Sequence, residues 1–169
     1  MSNESIPAGA RIGHVHLKVA EIDRSVRFYH ELMGFDITAR IGNQAAFLSA
    51  GGYHHHLGFN TWESKGGSPP PPGTTGLYHV AILYPTRAAL GDALRRLAEA
   101  GWPLDGVNDH VTHEALYLRD PDGNGLELAW DRPEDQWPRD KEGHLTFSGN
   151  RLDPEGLLKE GLELTPKDE

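Results

Sequence analysis

The chain contains no cysteine. Disulfides and thiolate metal sites are therefore excluded, and any metal would have to be held by imidazole or oxygen donors. There is no run of eighteen or more apolar residues, so no membrane-spanning helix is expected. The opening MSNESIPAGA lacks the basic start and apolar run of a secretory leader, and a soluble, cytoplasmic protein is expected. Positive charge is in short supply: 16 Lys and Arg stand against 25 Asp and Glu, a formal net charge of −9. That balance argues against nucleic acid or an anionic membrane as partner. Histidine, in contrast, is plentiful, with ten in 169 residues. Imidazole is both a common metal ligand and the usual acid–base group near neutral pH.

The order of local signals repeats. The first copy opens on the alternating IGHVHLKV of residues 12–19, continues into RSVRFYHELMGF with Asp23 as expected helix cap, and stops at Gly34. Val26, Phe28, Tyr29, Leu32 and Met33 form the apolar face of that helix. Three short β-type runs follow: DITARI, QAAFLSA and HHHLGFN. The second copy opens on GLYHVAILY. A helix follows, capped by Thr86, stopped by Gly101 and carrying a buried stripe of Leu90, Ala93, Leu94, Leu97 and Ala98. Runs near Pro103–Val107, HEALYLRD and GLELAWD complete it.

The expected fold class is α+β, two βαβββ modules forming an open barrel-like cleft lined by alternate strand residues. Their ranges are 11–62 and 77–131. Four consecutive prolines mark residues 63–76 as a semi-rigid linker. Residues 132–169 are read as a peripheral tail, with Trp137 as its anchor and a short helix near Pro154–Leu162.

Aligning HVHLKV with HVAILY sets His14 on His79. Glu127 lies between Leu126 and Leu128 in the last strand, so it points alone to one face. A single histidine on a strand is more often packed or surface-exposed than ligating, and a lone buried carboxylate is costly. Two imidazoles at repeat-equivalent positions and one carboxylate change that balance. Such a 2-His-1-carboxylate set leaves coordination positions open and suits Fe(II), with Mn(II) as the alternative. His16 shares the face of His14, but its counterpart is Ala81, which favours His14 as the ligand. The run His54-His55-His56 precedes LGFN; matching LGFN to LAWD sets His56 opposite Glu127. DPDGNG signals a tight hairpin, with His110 and Tyr117 ahead of it and within reach of a bound ligand.

HVHLKVAEIDRSVRFYHELMGF and ALYLRDPDGNGLEL resemble the two signature stretches of the vicinal-oxygen-chelate superfamily, over about residues 11 to 131. That superfamily contains glyoxalase I, bleomycin- and fosfomycin-resistance proteins and type I extradiol dioxygenases. His110, Leu116-Tyr117, Asp120-Pro121, Gly123 and Glu127 follow the order of the extradiol signature, and HHHLGF resembles that branch's His-containing strand. The resemblance implies a catechol 2,3-dioxygenase-like oxidoreductase of aromatic catabolism. Its metal ligands would be His14, His79 and Glu127, its ion Fe(II) or Mn(II), and its partners a small aromatic diol and dioxygen. His55 would be a catalytic proton acceptor, with His56 as the alternative from the repeat alignment. His110 and Tyr117 would bond the ring oxygens, and Phe47, Phe59 and Trp130 would line the ring pocket. A homodimer is compatible with this reading. A glyoxalase-like isomerase would need a second glutamate ligand in module one, where the repeat alignment sets a histidine. A phosphonate-binding thiol transferase would favour a basic cavity. A metal-free drug-binding module would not need three ligands.

Overall fold

The computed structural model describes residues 5–164. Residues 1–4, the start of the stretch read as lacking a leader, and 165–169, the end of the tail, lie outside the described residues. The chain divides into two compact units, one ending at residue 68 and the other beginning at 69, within the proline-rich stretch.

The first unit contains β1 (Val15–Lys18), α1 (Ile22–Val26), β2 (Asp36–Ile41), β3 (Ala45–Ser49) and β4 (Leu57–Asn60). Its sheet runs β1-β4-β3-β2, with β1 parallel to β4 and the other pairs antiparallel. The helix differs from its expected form. Glu21, not Asp23, holds the N-cap position, and no side chain caps it; Asp23 sits in the first turn and pairs with Arg40. Past Val26 the helix widens into a π-type segment, Arg27–Leu32, with the Met33 N–H donating to the Phe28 carbonyl. Phe28 and Tyr29 both lie buried in this segment. Tyr29 stacks on Phe59 at 4.7 Å, so Phe59 belongs to the core, not to a ligand pocket. Gly34, at φ 88°, ends the segment.

The second unit contains β5 (Val80–Leu83), α2 (Arg87–Glu99), β6 (Leu104–Asp109), β7 (His113–Arg119), β8 (Gly125–Asp131) and α3 (Pro154–Glu163). Its sheet runs β5-β8-β7-β6 with the same parallel and antiparallel pattern as the first. Neither sheet closes on itself. The Thr86 hydroxyl caps α2 by accepting from the Ala89 N–H, and Gly101 stops it at φ 62°. Leu90, Gly91, Ala93, Leu94 and Leu97 are buried, whereas Ala98, in the last turn of α2, is exposed.

The tail is not a peripheral wrap. Helix α3 packs on α2 with backbone against backbone: a methyl group built on Gly91 would lie 2.3 Å from the Leu157 carbonyl oxygen. Leu157 and Leu152 are buried beneath it. Residue Asn150 pairs with Asp109 at the end of β6 through two backbone bonds of 2.7 and 3.2 Å. Trp137 donates through Nε1 to the Arg132 carbonyl at 2.8 Å. Behind β7, the buried carboxylate of Glu114 receives Arg87 at 2.8 Å and Arg132 at 3.0 Å, and Arg87 also pairs with Glu160 of α3. A buried carboxylate is tolerable only when paired in this way.

Candidate functional site

Each sheet has one face under its helices and one face turned away. In the second unit Leu126 and Leu128 lie in the core, and strand alternation sends Glu127 to the opposite face. On β7 the same face carries Tyr117, paired across from Glu127, and His113 four residues earlier. His79 immediately precedes β5, beside β8.

These side chains bond to one another. His79 Nε2 lies 2.9 Å from Glu127 Oε2. Glu127 Oε1 accepts from the Tyr117 hydroxyl at 2.9 Å and stands 3.0 Å from His113 Nε2. His110 Nε2 is 2.8 Å from the Tyr117 oxygen, and the His110 and His113 rings stack at 4.6 Å. Since the Tyr117 proton goes to Glu127, His110 Nε2–H is the donor to Tyr117. Burial first, and then the bond to the Glu127 carboxylate, raise the Tyr117 pKa above its ordinary value, so the phenol stays a donor. Glu127 itself is 7 % exposed. A cavity of about 550 Å³ opens beside this cluster, lined among others by Tyr78, His79, Asn108 and Tyr117.

A tight turn between β6 and β7 carries His110 and leads into His113, the first residue of β7. The His110 N–H donates to the His113 carbonyl at 2.8 Å, and Val111 takes a φ of 69°. A β-branched residue rarely adopts that conformation. Asp109 Oδ1 holds it by accepting from the Val111 N–H at 2.8 Å, while Asp109 Oδ2 receives Arg132 at 2.8 Å.

In the first unit, His14 immediately precedes β1 and its ring lies 4.4 Å from that of His55. His54, His55 and His56 form a bend ahead of β4 instead of part of the strand. His55 also meets Phe47 at 5.1 Å, on the face of His14 and His16. His56 turns the other way: its Nδ1 is 3.0 Å from Ser49 Oγ and accepts from the Ala50 N–H at 3.3 Å. Desolvation, followed by the neighbouring imidazoles of His14, His54, His16 and His56, lowers the His55 pKa, so its ring is neutral near pH 7.

The sheet registers correct the repeat alignment. β1 pairs Val15 with Leu57 and His16 with Gly58; β5 pairs Val80 with Leu126 and Ala81 with Glu127. The counterpart of Glu127 is therefore Gly58, not His56. Matching LGFN to LAWD was two residues out of register, because both strings are apolar with the same alternation. The His16 ring covers Gly58 so closely that a methyl group there would meet Nδ1 at 2.9 Å. The first unit thus has no carboxylate at the position that a glyoxalase-type second glutamate would take. Trp130 is also misassigned by the pocket expectation, since it shares the face of Leu126 and Leu128.

His113 was missed. The period-two pattern puts His113 on the face of Tyr117, so the signal was present in HEALYLRD.

The profile of the Glyoxalase/Bleomycin resistance protein/Dioxygenase superfamily matches residues 11–128. The chain belongs to this superfamily. Among its relatives, catechol-2,3-dioxygenase of Bacillus subtilis (strain 168) is 42 % identical over 156 residues, 92 % of this chain and 54 % of that protein. Biphenyl-2,3-diol 1,2-dioxygenase 3 of Rhodococcus globerulus is 31 % identical over 72 % of this chain and 63 % of its own length. The chain thus spans about half to two-thirds of these two superfamily relatives. The crystal structure of a glyoxalase/dioxygenase from Nostoc punctiforme matches with a TM-score of 0.63 at 19 % identity, covering 79 % of this chain and all of that one; this likeness concerns the fold.

The donor set suits a metal. Two donors about 2.1 Å from one ion and at right angles lie about 3 Å apart, which is the spacing of His79 Nε2 and Glu127 Oε2. His110, His113 and Glu127 also offer donor atoms within 4.8 Å of one another. Among the described residues no helix is long and apolar enough to cross a membrane.

Proposed function

We propose that this superfamily member is an extradiol ring-cleaving dioxygenase acting on a catechol-type diol. We assign His14, His79 and Glu127 as ligands of Fe(II), with Mn(II) as the alternative ion. The observation that carries the reading is the bonding around Glu127. Oε2 shares its approach with His79 Nε2, while Oε1 is held by Tyr117 and His113. His14, at the repeat-equivalent position of the first unit, is the third ligand in this reading. The two dioxygenase relatives support the substrate class.

Bound there, the ion would supply a Lewis acid that lowers the pKa of the diol hydroxyls and a redox centre for dioxygen. The protein residues do the remaining work. The neutral His55 ring is fit to take a proton from a diol hydroxyl, a contribution of about 10²–10⁴-fold for general bases of this kind. His110 and Tyr117 form a donor chain whose protons run from His110 Nε2 to the Tyr117 oxygen and from Tyr117 to Glu127 Oε1. His110 can redirect its donor to an oxygen of a diol seated in the cavity beside His79 and Tyr117, and the Tyr117 oxygen, its own proton kept on Glu127, can then accept from a diol hydroxyl. The diol enters uncharged, so its entry needs no basic cavity, in keeping with the acidic balance of the chain.

The test is purification without oxygen, loading with Fe(II), and exposure to a panel of catechols. Oxygen uptake with formation of a yellow ring-opened product is expected, and Glu127→Gln should lack both bound iron and uptake. Iron-loaded protein that consumes no oxygen with any catechol would overturn the assignment.

A further inference from the structure

Both oxygens of Glu127 are engaged, but unequally. Oε2 meets one group, His79 Nε2. Oε1 meets two, Tyr117 and His113. We propose that His113 is a positioning residue that, with Tyr117, fills Glu127 Oε1 and so presents the carboxylate to a metal through Oε2 alone. This rests on the reading of Glu127 as a ligand and extends it to a residue that touches no ligand atom of its own.

Proton placement supports it. The Thr112 hydroxyl lies 2.8 Å from His113 Nδ1. A hydroxyl donating to Nδ1 leaves the ring proton on Nε2, aimed at Oε1. The Tyr117 hydroxyl donates to the same oxygen. A carboxylate oxygen has about two lone-pair sites, so two donors fill it. A chelating carboxylate would have to give up both bonds. The partner bond of an outer-shell residue orients the ligand and tunes the metal in this manner.

His113 is itself firmly rooted. It opens β7, its carbonyl accepts from the His110 N–H, and the turn between them holds Val111 in its left-handed conformation. Asp109 ties that turn to Arg132, and Asn150 ties it to the tail. The imidazole therefore reaches Oε1 from a fixed base, on the side of Glu127 opposite His79.

Co(II) is the probe, because its visible spectrum reports coordination number and geometry. Affinity is read by competition with a chelator in wild type, His113→Ala, His113→Phe, His113→Gln and Glu127→Ala. His113→Phe keeps the bulk of the ring without a donor, and Gln returns an amide N–H to the place of Nε2. We expect one Co(II) per chain in wild type. His113→Ala and His113→Phe should bind it about 10–100-fold more weakly, with a spectrum shifted toward higher coordination number as Oε1 is freed. His113→Gln should recover both. Wild-type affinity and spectrum in the donor-less variants, beside a metal-free Glu127→Ala, would overturn the positioning role alone. Two Co(II) per wild-type chain with one lost in His113→Ala would make His113 a ligand and overturn it too. Full Co(II) binding by Glu127→Ala would overturn the ligand reading, and this proposal with it.

Discussion

Replacing Gly125 by alanine should separate His79 from Glu127 while leaving both residues unsubstituted. Gly125 begins β8, and a methyl group on it would lie 2.1 Å from the Tyr78 carbonyl oxygen and 3.1 Å from His79 Cβ. Carbon and carbonyl oxygen approach to about 3.3 Å at closest. The start of β5 must therefore retreat by roughly 1 Å, because the obstructing atom is backbone and cannot swing aside. The 2.9 Å approach of His79 to Glu127 ends with that shift. Overpacking of this kind costs about 1–3 kcal/mol, or roughly 2–12 °C in Tm for a chain of this length. A misplacement of about 1 Å at a catalytic centre costs about 10²-fold in rate. Chelator competition gives the metal affinity, thermal unfolding the stability, and oxygen uptake the rate. Gly106→Ala is the control, since its added methyl group would meet nothing within 4 Å; it should stay within about 0.5 kcal/mol of wild type. A Gly125→Ala protein with unchanged metal affinity would refute the argument that β5 and β8 set the ligand spacing.

Three further outcomes are expected. His55→Ala should lower kcat by about 10²–10⁴-fold with little change in stability, whereas His56→Ala should cost about 1 kcal/mol and leave the rate within tenfold, because His56 bonds Ser49 and Ala50; steady-state kinetics and melting curves separate them. Gly91→Ala should destabilise by about 1–3 kcal/mol despite its better helix propensity, since the methyl group would strike the Leu157 carbonyl; urea unfolding reads it. The Asp109 pKa is lowered below the ordinary 3.8: burial opposes this, and the Val111 N–H and Arg132 outweigh it. Asp109 therefore stabilises the fold above about pH 4, and this contribution is lost as pH falls through its folded value. The stability gap between wild type and Asp109→Asn should narrow in unfolding curves taken at decreasing pH.

The sequence carried the architecture further than it carried the site. Strand and helix periodicity, the Thr86 cap and the glycine stops at 34 and 101 are local signals, and each element formed near its expected place. The π-type turn after Val26 has no local signature in the apolar pattern, which reads equally well as a regular helix. Strings alone could not set register: LGFN resembles LAWD, yet backbone pairing aligns Gly58 with Glu127. The tail was read by its polarity, while its packing depends on two glycines, Gly91 and Gly161, that only a close helix crossing explains. The direction of Glu127 was legible from alternation, whereas Tyr117 was singled out by its place ahead of the DPDGNG hairpin. His113 obeyed the alternation too, but nothing in composition distinguishes an imidazole that bonds a carboxylate from one that faces solvent.

The proposed ligand set is His14, His79 and Glu127. Iron content per chain after anaerobic loading and desalting, measured in His14→Ala, tests it most directly, since His14 is the ligand assigned from the repeat and the resemblance. About one iron per chain is expected in wild type, and its loss in His14→Ala to the level of Glu127→Gln. Full iron retention in a folded His14→Ala protein would contradict it.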